Sequence, residues 1–336
     1  MRALAAASMF SGSFPKTELR RCIEELTFVY PRAFSHPTRL GIAEAYVSTI
    51  APKADIQIAT SFETVRPTAL LSGKKFYFGQ HFEPYFASEF PDSSYASAIA
   101  HQSYHLGFNL IANSSWLRNK LQSEVCGARV DLCPNAIDHT VFCGDPKPPA
   151  TLEKLVVISY GGRSAEWKGF REMAEAIGLV RARSPQVLID WRVYGDALLP
   201  PGNRVAPYTH LGFLQAPELA KAYRGADILL SASWYESFPL FPIEAMACGL
   251  PVICTQPGTE EYAIARETAE VVQPRSVSSI AEGLDRLVHD PEYRHRLAVA
   301  GNRISKEFTW ERSAAKLESI LMREQTADDS CGARSE

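Results

Sequence analysis

Residues 229–262 read LLSASWYESFPLFPIEAMACGLPVICTQPGTEEY, and the order of residue types within them decides the fold. An apolar run over 227–230 enters a Ser/Trp/Tyr loop. Glu236 follows, then a proline-punctuated Phe-Pro-Leu-Phe-Pro, then Glu244 on an Ala/Met segment that Gly249 and Pro251 stop. This predicts strand, loop, short helix, strand. Pro242 suits the first turn of a helix, where a missing N–H costs nothing, and Gly249 suits its C-terminal end, so the helix is expected over 241–248. A helix that begins at the carboxyl end of a strand offers unpaired N–H groups and a partial positive charge, for which phosphate is the natural guest.

The two glutamates suit separate tasks. Glu236, in the loop before the helix, can accept hydrogen bonds from the hydroxyls of a bound sugar. Glu244, one turn into the helix, can hold a vicinal diol such as a ribose. Spacing alone serves equally well for a Glu244 that complements the helix dipole and a Glu236 that is a solvated loop residue.

A second stretch, LVVISYGGR at 155–163, reads as a buried strand followed by a tight turn at Gly161 and Gly162. Arg163 and Lys168 then project near the same strand end. Two cations beside a helix start can neutralise a diphosphate without a metal, and arginine can do so in a bidentate manner; a solvated surface pair is the alternative. The chain contains no Asp-x-Asp, and its 7 cysteines are dispersed and never C-x-x-C, so no metal site and a reducing compartment are expected.

With 336 residues, 46% apolar and 22% charged, the chain is long enough for two domains of about 150 residues each. A net charge of -3 and a pI near 6.3 provide no basic field for nucleic acid. No apolar run approaches the roughly 18 residues of a membrane helix, and the opening MRALAAASMF is a weak secretion signal.

The run from Glu236 to Glu244, with 7 residues between the glutamates and Ala-Met-Ala-Cys-Gly-Leu-Pro-Val-Ile behind it, resembles the E-x7-E signature of family 4 retaining glycosyltransferases. Pro239 stands where that family commonly has glycine. Gly162, Arg163, Lys168 and Gly169 are similar to its strand-G-R-x4-K-G pattern, and Gly195 to its V-x-G-D turn. Pro134, Asn135, Ala136, Ile137, Asp138 and Phe142 resemble its P-N-G-V-D turn, with Ala136 in the place of a glycine that can take positive φ.

The resemblance implies an α/β fold of two Rossmann-like domains facing a cleft, the GT-B arrangement. The N-terminal domain is expected to be abbreviated or truncated, because residues 1–50 lack the family's opening strand and Gly-rich loop. They offer only candidate helices at 17–28 and 39–50. From residue 54 strands and helices alternate, as in a doubly wound sheet. The proline-rich GDPKPPA at 144–150 reads as the linker, which places an acceptor-side domain at 1–146 and a nucleotide-sugar domain at 147–305. A closing helix at 306–324 crosses back to the first domain, and 325–336 is read as a disordered tail.

The implied activity is transfer of a sugar from a nucleoside-diphosphate donor to a hydroxyl of a glycan or lipid-linked acceptor, with retention of configuration. That donor is a co-substrate, and no cofactor is expected. Arg163, Lys168 and the amides near Phe238, Pro239 and Leu240 would neutralise the leaving diphosphate, Glu236 would hold the sugar, and Glu244 the ribose. By the same resemblance, the backbone at Phe213 and Leu214 would meet the base.

The run KFYFGQHFEPYF at 75–86 reads as a strand with His81 and Glu83 at its carboxyl end, where ligands of open α/β sheets bind, which makes them candidates for contacting acceptor or sugar. The phrase YFGQHFEPYF around them is locally similar to bacterial surface-glycan rhamnosyltransferases. The aromatic residues Phe82, Tyr85, Phe86, Phe90 and Tyr95 read either as an acceptor platform or as a loop packing on its own domain. Glu260 and Glu261 read as a solvated helix start. Cytoplasmic placement is expected, with room for peripheral contact at the inner membrane. A sugar-nucleotide epimerase of the same shape and a non-catalytic nucleotide-sugar-binding protein are the rival readings.

Overall fold

The computed structural model describes residues 53–89, 93–161, 165–195 and 206–323, with 41, 44, 45 and 51 besides. The chain divides into two compact units. The first takes Met1–Ala112, Leu117–Leu132 and the end from Leu321; the second takes Asn113–Trp116 and Cys133–Ile320.

In the first unit β1 (Ile56–Ala59), α1 (Phe62–Ala69), β2 (Lys74–Gly79), α2 (Ser93–Ser103), β3 (Asn109–Ala112), α3 (Ser115–Glu124, its first two residues grouping with the second unit) and β4 (Val130–Leu132) alternate along the chain. A helix or 3-10 turn between successive strands returns the chain to the same edge, so all pairings are parallel, in the order β1-β2-β3-β4. The helix expected at 17–28 lies outside the described residues; of the one at 39–50, Gly41, Glu44 and Ala45 are helical.

The second unit is built on six parallel strands: β5 (Lys154–Tyr160), β6 (Leu188–Tyr194), β7 (Thr209–Gly212), β8 (Ile228–Ser231), β9 (Val252–Thr255) and β10 (Glu270–Val272). Its helices are α4 (Phe170–Arg183), α5 (Ala216–Arg224), α6 (Leu240–Ala247), α7 (Val277–His289), α8 (Pro291–Ser305) and α9 (Trp310–Leu321). Both sheet faces are covered. The strands therefore read as continuous apolar runs whose alternate residues enter two different cores. Leu155 and Val157 of β5 join Trp191 and Val193 of β6 and Ile228 and Leu230 of β8 on the face packed by α4 and α7. Val156, Ile158, Tyr194 and Leu229 point the other way, into the core of α5 and α6. Ser276 and Asp290 cap α7 and α8, accepting from the Ser279 and Tyr293 amides at 3.2 and 2.8 Å.

The units part between Leu132 and Cys133, whereas the proline run had placed the boundary at 146. Ile137 and Phe142 are in the second unit's core, and Lys147 Nζ donates to Ala226 O and Asp227 Oδ1, each at 2.7 Å. Three prolines keep this strap out of a strand ladder but leave its carbonyls and side chains able to bind the surface beneath. Residues of α9 through Ile320 group with the second unit. Arg323 pairs with Asp131 in the first at 3.0 Å, and the tail from 325 lies outside the described residues. Strand β10 carried no sequence signal because its first residue, Glu270, is acidic. That carboxylate is 1% exposed and takes Arg286 Nη2 and the Tyr293 hydroxyl, each at 2.6 Å.

Candidate active site

The second sheet runs β10-β9-β8-β5-β6-β7. From β5 the chain moves through β6 to β7 on one side, then crosses β5 to begin β8 on the other. The connections that follow β5 and β8 therefore lead to opposite sides of the sheet, and this reversal of strand order is where open parallel sheets form a ligand crevice. One loop carries residues 161–169 and the other 232–239, the two stretches singled out in the sequence.

At this point Lys168 Nζ lies 2.6 Å from Glu236 Oε1, with side chains 15% and 8% exposed. Ser233 Oγ donates to the same oxygen at 3.0 Å. Lys168 leaves a 3-10 turn at Glu166–Lys168, its ammonium 4.1 Å from the Trp167 ring centroid and 5.8 Å from that of Tyr160, the last residue of β5. Gly169 starts α4 with φ 70°, and a Cβ there would fall 2.0 Å from Ala232 O. Gly169→Ala should therefore remove at least about 3 kcal/mol of stability, or prevent folding, which a thermal melt will read; an unchanged Tm would mean that the two loops are not in contact.

The Glu236 loop is held from its other side by the β9 exit. Thr255 Oγ1 donates to Ser233 O at 2.5 Å and Tyr262 OH to Pro239 O at 2.7 Å. Gly258, at φ 84°, lies where a Cβ would meet Glu236 O at 2.5 Å. Ser237 Oγ donates to Asn113 Oδ1, with both residues buried.

Helix α6 spans Leu240–Ala247, one residue earlier than the sequence placed it, with Pro239 as N-cap. Pro239 and Pro242 have no N–H, so the peptide donors free in the first turn reduce to Leu240 and Phe241. Glu244 is 9% exposed, and its Oε2 has no hydrogen-bond partner among the described residues. Burial pushes its carboxyl up to about 7. Beside it are the rings of Tyr194 and Tyr223, whose hydroxyls are 2.8 Å apart and held in the neutral form, first of all by burial. Tyr160 joins the two halves of the site: its ring lies near Lys168 and 4.6 Å from Phe241 in the first turn of α6.

The structure thus brings Lys168, Glu236 and the start of α6 together, with Glu244 one turn further along. Gly162 and Arg163 lie outside the described residues. Gly195 directly follows β6, its N–H donating to Gly212 O at 2.9 Å. Phe213 is 64% exposed just after β7, and Leu214 is partly buried against the core. The Phe238 ring is buried between Tyr262 and Phe308, which leaves its backbone, the part expected to meet the diphosphate, as what a ligand could contact.

His81 is in the first unit, its ring 4.8 Å from that of Phe86. Glu83 is a structural anchor: its carboxylate accepts from the Phe62 amide at 2.8 Å, at the start of α1, and from the Tyr77 hydroxyl. Burial pushes it up to about 7. Phe82 is buried and stacks on Tyr104, so that ring packs within its own unit; Phe90 lies outside the described residues.

Glu260 and Glu261 start no helix. Glu261 Oε1 accepts from the Ser115 amide at 2.5 Å, and each residue has a buried carboxylate oxygen. Trp167, Ser233, Trp234 and Tyr235 have no role assigned by sequence alone. Their adjacency to Lys168 and Glu236 is the signal that could have found them.

Among the described residues no helix is long and apolar enough to cross a membrane. The chain is 29% identical over 202 residues to the D-inositol 3-phosphate glycosyltransferase of Arthrobacter sp. (strain FB24), an alignment covering 55% of this chain and 48% of that relative. It spans about half the length of the curated relatives it matches. Among solved structures it superposes on sucrose-phosphate synthase from Thermosynechococcus elongatus with a TM-score of 0.66 at 18% identity, covering 92% of this chain and 79% of that one. It superposes on Anabaena Alr3699/HepE, solved in complex with UDP and glucose, with a TM-score of 0.67 at 19% identity, covering 86% and 84%. The fold is accordingly α/β with two parallel sheets, of the GT-B class. Over residues 207–303, which include Glu236 and Glu244, the chain matches the family described as "Glycosyl transferases group 1" and carries a domain of that kind.

Proposed function

We propose that this chain is a glycosyltransferase that moves a sugar from a nucleoside-diphosphate donor to a hydroxyl of a glycan or lipid-linked saccharide, with retention of configuration and without a metal. The observation that carries this reading is the meeting of Lys168 and Glu236 at 2.6 Å at the switch point of the second sheet, beside the first turn of α6. The group 1 match and the UDP in the Anabaena relative support a uridine nucleotide as the donor's carrier.

In this reading the β-phosphate lies against Lys168 and the Leu240 and Phe241 amides, with Arg163 as a second cation. As the glycosidic bond breaks, negative charge grows on the departing diphosphate and positive charge on the sugar ring. Lys168 meets the first and Glu236 the second. The Lys168–Glu236 pair then opens: the ammonium goes to phosphate and the carboxylate to sugar hydroxyls. Glu244 supplies its unpartnered oxygen to the ribose. The acceptor hydroxyl attacks from the face the diphosphate leaves, giving its proton to that phosphate, so no protein nucleophile is needed.

A donor panel including UDP-glucose and dTDP-rhamnose tests this. One donor should raise Tm by on the order of 5 °C at a hundred times its Kd. With an acceptor it should be consumed in excess EDTA, giving a product of unchanged anomeric configuration by NMR. If no donor shifts the melt, the proposal fails; conversion of the donor to an epimer without acceptor would establish the epimerase reading instead. Loss of activity in EDTA would remove metal independence alone.

A further inference from the structure

We propose that Trp167 is a positioning residue that holds the Lys168 ammonium in place when Glu236 releases it. The assignment rests on the donor site proposed above. The loops leaving β5 and β8 run antiparallel to each other, and their contacts fall in register. Gly169 packs on Ala232 O, and the Trp234 N–H donates to Trp167 O at 2.7 Å. The Trp167 ring stacks on Tyr235 with centroids 5.5 Å apart and 13° between planes. Trp234 is fixed in turn: its Nε1 donates to Glu172 Oε1 at 2.9 Å and its ring lies 3.9 Å from the Arg275 guanidinium carbon. Arg275 has φ 60°, a backbone conformation that non-glycine residues seldom adopt and that persists where surrounding contacts enforce it.

Trp167 therefore has a fixed backbone and a fixed ring, and the Lys168 ammonium lies 4.1 Å from that ring's centroid. A lysine whose only attraction was Glu236 would regain its rotamer freedom and its water once the carboxylate turned to a sugar. An aromatic face keeps a partly desolvated ammonium at the site without neutralising its charge, so the cation stays available to an incoming phosphate. Glu236 and Trp167 thus hold Lys168 in different ways: the carboxylate cancels its charge, and the indole leaves that charge whole.

The test is a double-mutant cycle on the full chain, read by calorimetric titration of UDP. Trp167→Leu should weaken UDP binding about fivefold to tenfold, and Trp167→Phe should restore it to within about twofold of wild type. In a Lys168→Met background, Trp167→Leu should cost nothing further. A residue with a merely structural role would give the same loss in both backgrounds, and that outcome, or a Phe variant no better than Leu, overturns the assignment. Trp167→Met replaces Leu if the latter does not fold. If the wild type binds no nucleotide, the proposed function fails. The cycle is then read from thermal unfolding of the unliganded chain, where zero coupling between positions 167 and 168 overturns the inference on its own.

Discussion

Glu236→Gln is expected to lower turnover about a hundredfold to a thousandfold while leaving UDP affinity within about threefold of wild type. The amide keeps the size of the side chain and an oxygen for the Ser233 hydroxyl, which donates at 3.0 Å. What it lacks is the negative charge opposite a sugar ring that becomes cationic as the bond breaks. An interaction made only in the transition state lowers kcat without changing ground-state binding, and UDP lacks the transferred sugar that Glu236 would contact. In the proposed donor site Lys168, freed from its 2.6 Å partner, would still face the phosphates. Steady-state kinetics beside calorimetry decide the matter: equal losses in both would make Glu236 a structural anchor of the Lys168 loop, and no loss in either would make it a bystander.

Glu244→Gln should move stability and binding in opposite directions. The carboxyl stands at about 7 in the folded chain, above its ordinary 4.5, because burial disfavours the anion. A raised value means that the contribution to stability is fully present below about 4.5 and is lost as pH rises through about 7. That interval corresponds to about 3 kcal/mol for a group this deeply buried. The neutral variant is therefore expected to melt several degrees above wild type at pH 8 and level with it at pH 4.5. Its UDP affinity should fall at least tenfold at pH 8, because a charged acceptor for two ribose hydroxyls is gone. Glu83, also near 7, is present in both proteins and cancels in the comparison. A variant with lower Tm than wild type at pH 8 would mean that Glu244 has partners in the unliganded chain.

Both expectations concern acids that a stability-only design would have avoided. Glu244 places an unsatisfied oxygen in an apolar surrounding, and Glu236 is 8% exposed with most of its compensation coming from one lysine. Removing one partner of such a pair leaves a buried charge alone, so Lys168→Met should also destabilise the chain; its use in the Trp167 cycle relies on differences between backgrounds, not on absolute affinities.

The second unit was largely legible in the sequence. Its strands are buried on both faces, which leaves runs such as LVVIS at 155–159, and its helices carry signals at their ends: Gly169 before α4, Ser276 and Asp290 before α7 and α8, Gly249 after α6. What was misread shares one feature, that the deciding contact is distant in sequence. The strap at 144–150 has a linker's composition and is held by Asp227. Glu83 has the position of a ligand contact and is used up by Phe62 and Tyr77. Glu260 and Glu261 looked solvated, and the Ser115 amide reaches one of them from 146 positions away.

By itself, the sequence determined the alternation of strands and helices, the two glutamates one helix start apart, and the lysine after the glycine turn, because each follows from local periodicity, turn chemistry and spacing. Only the tertiary structure decided that strand order reverses beside β5, which sets the Lys168 and Glu236 loops against each other across 68 residues and seals Glu244 among tyrosines. Proximity across a parallel sheet depends on which edge each strand joins, and burial on what the other elements cover; neither is written in any short stretch of chain.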